Sequence, residues 1–185
     1  MPESIRELLA ELERLSQEYF IPAIDSEDGA ALAALAAVAP RGGLVLDLGA
    51  GVGYSTAWLA VGAGAWRGRV VAVEADPARF KVLKEAATRI SEATGARVEA
   101  VNGDALEYLR SLPQRSVSMA FIDIEKHQYR EAFQLIAGGL GVPGAILAFH
   151  NAYYPRPPDD FFEYASRFEH SIVPTPAGLL VARLP

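Results

Sequence analysis

An α/β fold built on a doubly wound, mostly parallel sheet is what this sequence predicts, and three observations predict it. Short β-branched and apolar runs alternate with helical patterns from residue 44 to residue 149. The first run ends in a turn with glycine at alternate positions that opens directly into a helix. After residue 150 the pattern changes to a loop, a short helix and a hairpin, which adds antiparallel strands at one sheet edge.

The elements follow in order. Ile5, Leu8, Leu9, Leu12 and Leu15 share one helical face between Glu and Arg residues. That stripe suits packing on the chain's own core or a contact with a second copy. Ile21-Pro22-Ala23-Ile24 breaks the pattern, and Ser26 is the expected N-cap of an alanine-rich helix ending before Pro40. Strands are expected at Leu44–Leu48, Val70–Val73, Val98–Val101, Val117–Ile122 and Ala145–Phe149, with helices over 55–63, 77–93, 104–111 and 127–139. Right-handed crossovers then cover both faces of a parallel sheet. A helix over 160–167 precedes strands at Phe168–Val173 and Leu179–Arg183, which flank a Pro-Thr-Pro-Ala-Gly turn. At 185 residues the expectation is a single domain, a helical segment over 1–39 and the α/β core over 43–185.

Composition narrows the function. The net charge of −6 and pI near 5.1 offer no general phosphate-binding surface, which argues against a nucleic-acid partner. With no cysteine there is no disulfide, thiolate metal site or cysteine nucleophile. The longest apolar run, Ala30 to Ala39, is too short to cross a bilayer. A cytoplasmic protein with no membrane partner is the expectation.

The glycine turn Asp47-Leu48-Gly49-Ala50-Gly51-Val52-Gly53-Tyr54-Ser55-Thr56 carries the most information. A dinucleotide turn of the G-x-G-x-x-G type would want glycine or alanine where Tyr54 stands. In an open α/β sheet, ligands bind beyond the carboxyl ends of the strands. Asp47, Glu74, Asp104 and Asp123 all fall at such ends. Glu74 lies about twenty residues beyond the turn, where a carboxylate accepts both ribose hydroxyls. Asp104 suits an adenine amino group and equally a helix N-cap. Asp47 would repel a pyrophosphate and favour a sulfonium and an ammonium, so the turn suits S-adenosylmethionine better than a nicotinamide dinucleotide. The candidate cofactor wall is Asp47, Gly49, Gly51, Gly53, Tyr54, Ser55, Glu74, Ala75, Gly103, Asp104, Ala105 and Asp123.

With these motifs in place the chain resembles the class I S-adenosylmethionine-dependent methyltransferases, and more narrowly the catechol and caffeoyl-CoA O-methyltransferases. The resemblance runs from about Ile21 onward. It rests on Gly-Tyr-Ser-Thr at 53–56, Val-Ala-Val-Glu at 71–74, Asn-Gly-Asp-Ala at 102–105 and Phe121-Ile122-Asp123-Ile124-Glu125-Lys126 followed by Tyr129. It continues through Val142-Pro143-Gly144-Ala145 to His150-Asn151, and closes with Ala177-Gly178-Leu179-Leu180-Val181-Ala182-Arg183. It implies a Rossmann-like seven-stranded sheet of order 3-2-1-4-5-7-6, a small-molecule acceptor with a phenolic or catechol-like hydroxyl, and a homodimer.

By position it also implies a divalent metal at Asp123, His150 and Asn151, and Lys126 as a catalytic base beside Asp123. Here the chain departs from the family, because His150 stands where relatives carry aspartate. Asp and Asn oxygens suit Mg²⁺, whereas an imidazole biases the set towards Mn²⁺ or softer ions. The alternative for His150 is a buried or hydrogen-bonded histidine beside a metal-free site. The segment after Asn151 also returns quickly to helix, with Tyr153 and Tyr154 as candidate stacking partners for an acceptor. Two other readings stay open on the residues alone. One is an RNA methyltransferase of the same fold acting on a hydroxylated base, and the other is a protein that holds S-adenosylmethionine without catalysis.

Overall fold

The computed structural model describes residues 2–185. Five parallel strands form the centre of one sheet: β1 (Leu44–Leu48), β2 (Arg69–Glu74), β3 (Arg97–Asn102), β4 (Val117–Ile122) and β5 (Gly141–Phe149). β6 (Glu169–Val173) and β7 (Leu179–Arg183) close it as an antiparallel hairpin, with β7 against β5. The order is β3-β2-β1-β4-β5-β7-β6, as the family resemblance implied. The order in which strands are added reverses between β1 and β4, which leaves a crevice beyond their carboxyl ends.

Alternate strand residues feed two core layers. Val45, Val70, Met119 and Phe121 face α1 (Glu3–Glu18), α2 (Ser26–Val38), α3 (Tyr54–Gly64) and α4 (Pro77–Thr94). Leu46, Leu48, Val71 and Ile122 face α5 (Ala105–Ser111), α6 (Tyr129–Leu135) and α7 (Asp159–Ala165). Every residue of β4 is buried, which is why it reads as an apolar run broken only by Ser118 rather than as an alternating one.

Several boundaries differ from expectation. Asp25, not Ser26, is the N-cap of α2, and its carbonyl accepts the Gly29 N–H while the Ser26 hydroxyl turns to Glu27. The helix expected over 127–139 is three pieces: a 3₁₀ turn at Lys126–Gln128, α6, and a π turn at Ile136–Leu140 with Gly139 at φ 141°. β5 starts at Gly141 rather than Ala145, because its pairing with β4 jumps from Gly141 opposite Val117 to Ile146 opposite Met119. The Val-Pro-Gly-Ala stretch is the irregular segment inside that jump. The stripe of α1 is spent within the chain: Ile5, Leu8, Leu9 and Leu12 are buried in the core layer, and Arg89 of α4 grips Glu11 through two hydrogen bonds of 2.7 and 2.5 Å.

The N-terminal helices matter to the site because α2 lies unusually close to α3. A Cβ on Gly62 would fall 2.0 Å from the Ala33 carbonyl oxygen, so only glycine permits this approach. The approach puts the start of α2 against the carboxyl end of the sheet.

Candidate active site

A cavity of about 670 Å³ opens over the carboxyl ends of the strands at the reversal point. One end is walled by Gly49 and Gly51 of the turn after β1, by Glu74 and Ala75 after β2, and by Gly103, Asp104 and Ala105 after β3. The other end is walled by Asp123, Lys126, His150 and Asn151. Eleven residues singled out by sequence therefore share one space, Asp123 serving both ends.

The glycine turn is held by backbone hydrogen bonds and a carboxylate. Gly49 and Ala50 both donate to the Val73 carbonyl, at 3.0 and 3.1 Å. Gly49 has φ 91°, and a Cβ there would lie 2.3 Å from the Asp123 carbonyl oxygen, so glycine is required on two counts. The Glu74 carboxylate accepts the Gly51 N–H at 2.8 Å and the Asp76 N–H at 2.9 Å. One acceptor direction on each oxygen remains for a ligand, and the side chain is buried at the cavity wall. The Asp104 carboxylate caps α5 by accepting the Glu107 N–H at 2.9 Å. Its second oxygen makes no hydrogen bond to the protein, so the N-cap use leaves room for the ligand use.

Four candidates lie off this wall. Asp47 is sealed behind the turn, accepting the Ser55 and Thr56 hydroxyls at 2.8 and 2.5 Å and so pinning the first turn of α3. Burial pushes its carboxyl up to about 7 against those two donors. Its other oxygen is buried without a partner. Gly53 is the left-handed N-cap of α3 at φ 103°, Tyr54 is buried edge-on to Trp58, and Ser55 borders a small pocket beneath the turn. These residues shape the turn from behind.

At the far end four charged side chains and a phenol are linked. Lys126 donates to Asp123 Oδ1 at 2.8 Å, to Tyr129 Oη at 2.8 Å and to the Ile124 carbonyl at 3.4 Å. The Tyr129 ring is buried against Phe149 and Phe161, which fixes its hydroxyl, and burial and Asp123 hold that hydroxyl well above the usual phenol range. His150 Nδ1 lies 3.2 Å from Asp123 Oδ2, and its Nε2 lies 3.3 Å from Asp28 Oδ2. Burial works against a charged ring, yet the hydrogen bonds to Asp123 and Asp28 raise its pKa to about 9. Burial likewise opposes ionisation of Asp28 and Asp123, but the hydrogen bond from His150 leads the effects that hold both below the usual carboxylate range.

This geometry does not fit the metal that the family resemblance implied. Both nitrogens of His150 are committed to carboxylates, so neither offers a lone pair, and the Asn151 amide nitrogen is turned away to the Tyr154 carbonyl at 2.9 Å. Among the described residues no group of three or more His, Asp or Glu side chains is arranged to hold an ion. The two loop tyrosines are not on the cavity wall. Tyr153 packs its ring on Gly178, and Tyr154 is 82% exposed. Pro155 and Ala177 line the cavity there instead.

Sequence reading missed Asp28, Arg79, Gln128 and the connector Ile21-Pro22-Ala23, all but Asp28 on the cavity wall. For Asp28 a signal existed: it falls four residues before Leu32 and eight before Ala36, on the buried face of α2. A carboxylate on an apolar stripe needs a partner, and His150 is that partner.

Known proteins share this fold and part of this sequence. A family model described as a methyltransferase domain matches residues 46–152. The catechol O-methyltransferase of Mycobacterium tuberculosis is 36% identical over 129 residues, which cover 70% of this chain and 56% of that protein. The match thus spans just over half of that relative's length. A methyltransferase from Geobacter sulfurreducens superposes with a TM-score of 0.79 at 25% identity, covering 100% of this chain and 91% of the other. An O-methyltransferase from Bacillus cereus, solved with S-adenosylhomocysteine, shares the fold with a TM-score of 0.80 at 22% identity over 97% and 91% of the two chains. The family model begins inside β1 and ends just past His150 and Asn151, so it takes in both ends of the cavity; the chain belongs to the methyltransferase domain family.

Proposed function

We propose that the chain transfers the methyl group of S-adenosylmethionine to a phenolic or catechol-like hydroxyl of a small molecule. One observation carries this reading: a single cavity joins the Gly51–Glu74 end, suited to a ribose and adenine, to the Asp123–Lys126 end, suited to an ionising oxygen. The catechol O-methyltransferase similar over 129 residues supports the acceptor class.

The chemistry is an in-line displacement. The acceptor oxygen forms a bond to the methyl carbon, the carbon–sulfur bond breaks, and its electron pair returns to sulfur to leave neutral S-adenosylhomocysteine. Charge is neutralised rather than created, so the protein's main task is alignment, worth up to roughly 7–11 kcal/mol in favourable systems. The acceptor must also ionise, and a phenol with a pKa near 10 needs help at neutral pH. Lys126 is the residue for that. Its 3.4 Å contact to the Ile124 carbonyl is the weakest of its three, and an acceptor oxygen takes that position. Lys126 then donates to the developing oxyanion while Asp123 and Tyr129 hold its other hydrogens, and the acceptor proton passes to water. The family role of Lys126 as a base becomes, in this geometry, the role of a cation that lowers the acceptor pKa.

The test is label transfer from methyl-tritiated S-adenosylmethionine to a panel of catechols and simple phenols. Labelled methyl ether supports the reading. Tight binding of S-adenosylhomocysteine with no transfer to any member of the panel overturns it.

A further inference from the structure

We propose that this chain fills the place of a divalent cation with its own side chains: His150, gripped between Asp28 and Asp123, and Lys126 supply two positive charges beside the acceptor, and methyl transfer proceeds without a metal. The placement beside an acceptor rests on the proposed methyl transfer, whereas the metal-free clamp stands on geometry alone.

Three observations carry it. First, the donor set is closed. His150 is 5% exposed and spends Nδ1 on Asp123 and Nε2 on Asp28, at 3.2 and 3.3 Å, so an ion would have to displace a ring proton and break a carboxylate contact. Second, the charges balance. Two carboxylates, Asp28 and Asp123, face two cations, His150 and Lys126, so the cluster is neutral as it stands. A divalent ion that displaced the ring proton would leave one uncompensated positive charge in a largely buried site. Third, the clamp is built from distant parts of the chain that the fold brings together deliberately. Asp28 is fully buried on α2, and α2 is held against α3 by close packing that includes the approach of Ala33 to Gly62. Carboxylates on both sides of an imidazole explain why a buried acid occupies the apolar face of that helix.

The chemical consequence concerns the acceptor. Without an ion to chelate two neighbouring oxygens, the site reads one hydroxyl through Lys126, and a lone phenol serves as well as a catechol. Asp28 acts through His150 and is a positioning residue.

The experiment uses the full chain. Mn²⁺ titration followed by electron paramagnetic resonance is expected to show no stoichiometric site in the wild type. His150→Asp, which replaces the clamped ring by a third carboxylate, is expected to gain one. In parallel, nuclear magnetic resonance of ¹⁵N-histidine-labelled wild type at neutral pH is expected to show protons on both ring nitrogens of His150. Asp28→Asn is expected to lose the slow exchange of the Nε2 proton and to lower kcat about tenfold with the cofactor KM unchanged. Stoichiometric Mn²⁺ binding by the wild type, a His150 ring nitrogen without a proton, or transfer that a chelator abolishes and Mn²⁺ restores would each overturn the proposal. Failure of every phenol to accept a methyl group would strike the proposed function instead, and the metal-binding and resonance results would still decide the clamp.

Discussion

Asp28 and His150 meet across 122 residues of sequence, Oδ2 to Nε2 at 3.3 Å, with both side chains buried. The ring is charged in the fold because a carboxylate faces it on each side, Asp28 from α2 and Asp123 from the end of β4, with Lys126 on the far oxygen of Asp123. That charge links folding to pH. The His150 pKa is raised from 6.5 to about 9, so its contribution is fully present below 6.5 and disappears as pH rises through 9. The stability difference between wild type and His150→Gln, from urea melts, should shrink by about 3 kcal/mol over that window. A difference that stays constant from pH 6 to pH 9.5 would refute the assignment.

Asp47 predicts the same direction in a lower window. Its carboxyl is raised from 3.8 to about 7 by burial, so the folded state holds a proton that the unfolded chain releases. The cost of its charge is absent below 3.8 and complete above 7. Asp47→Asn keeps an oxygen for the Ser55 and Thr56 hydroxyls and removes that cost. Relative to wild type it should gain stability as pH rises from 4 to 7, by up to about 4 kcal/mol. Melting curves across that range check it, and a variant that loses stability with rising pH would count against it.

Glu74 carries the cofactor assignment. Its carboxylate already holds the Gly51 and Asp76 N–H groups, and the side chain lines the cavity. In Glu74→Gln one oxygen becomes an amide donor that faces a backbone N–H. Calorimetry should show S-adenosylhomocysteine affinity falling at least tenfold, about 1.5–3 kcal/mol for hydrogen bonds to a charged group. Unchanged affinity would place the ribose elsewhere.

Tyr129→Phe separates positioning from packing. The ring stays between Phe149 and Phe161, while Lys126 loses one of its two short hydrogen bonds. Turnover should fall about tenfold with little change in melting temperature or cofactor affinity. Equal losses in stability and turnover would mean that the hydroxyl serves the fold rather than Lys126.

Much of this architecture was legible because its signals are local. Five parallel strands announce themselves as short apolar runs, and the turn after β1 needs glycine wherever backbone meets backbone, as Gly49 shows against the Asp123 carbonyl. Glu74, Asp104 and Asp123 were found because strand ends in a parallel sheet converge on one crevice. What stayed hidden depends on contacts distant in sequence. Asp28 looks like an ordinary acid in a first helical turn until α2 is docked on α3, and His150 looks like a ligand until Asp28 occupies its second nitrogen. Asp47, read as facing the cofactor, turns back to α3, since the direction of a side chain at a strand end is set by the hydroxyls that follow it. The irregular start of β5 escaped because the unbroken apolar run begins only at Ala145, whereas an irregular paired strand also accommodates Pro143 and Gly144.

The central claim is that one cavity aligns S-adenosylmethionine with a phenolic oxygen beside Lys126. Its most direct measurement is a single-turnover reaction of the protein with methyl-labelled S-adenosylmethionine and catechol in the presence of chelator, with the product identified by mass spectrometry and fragmentation. The account predicts a mono-O-methylated catechol, formed by the wild type and reduced at least a hundredfold, about 2.7 kcal/mol, in Lys126→Met. Label on carbon or nitrogen, or no labelled product from a protein that binds the cofactor, would contradict it.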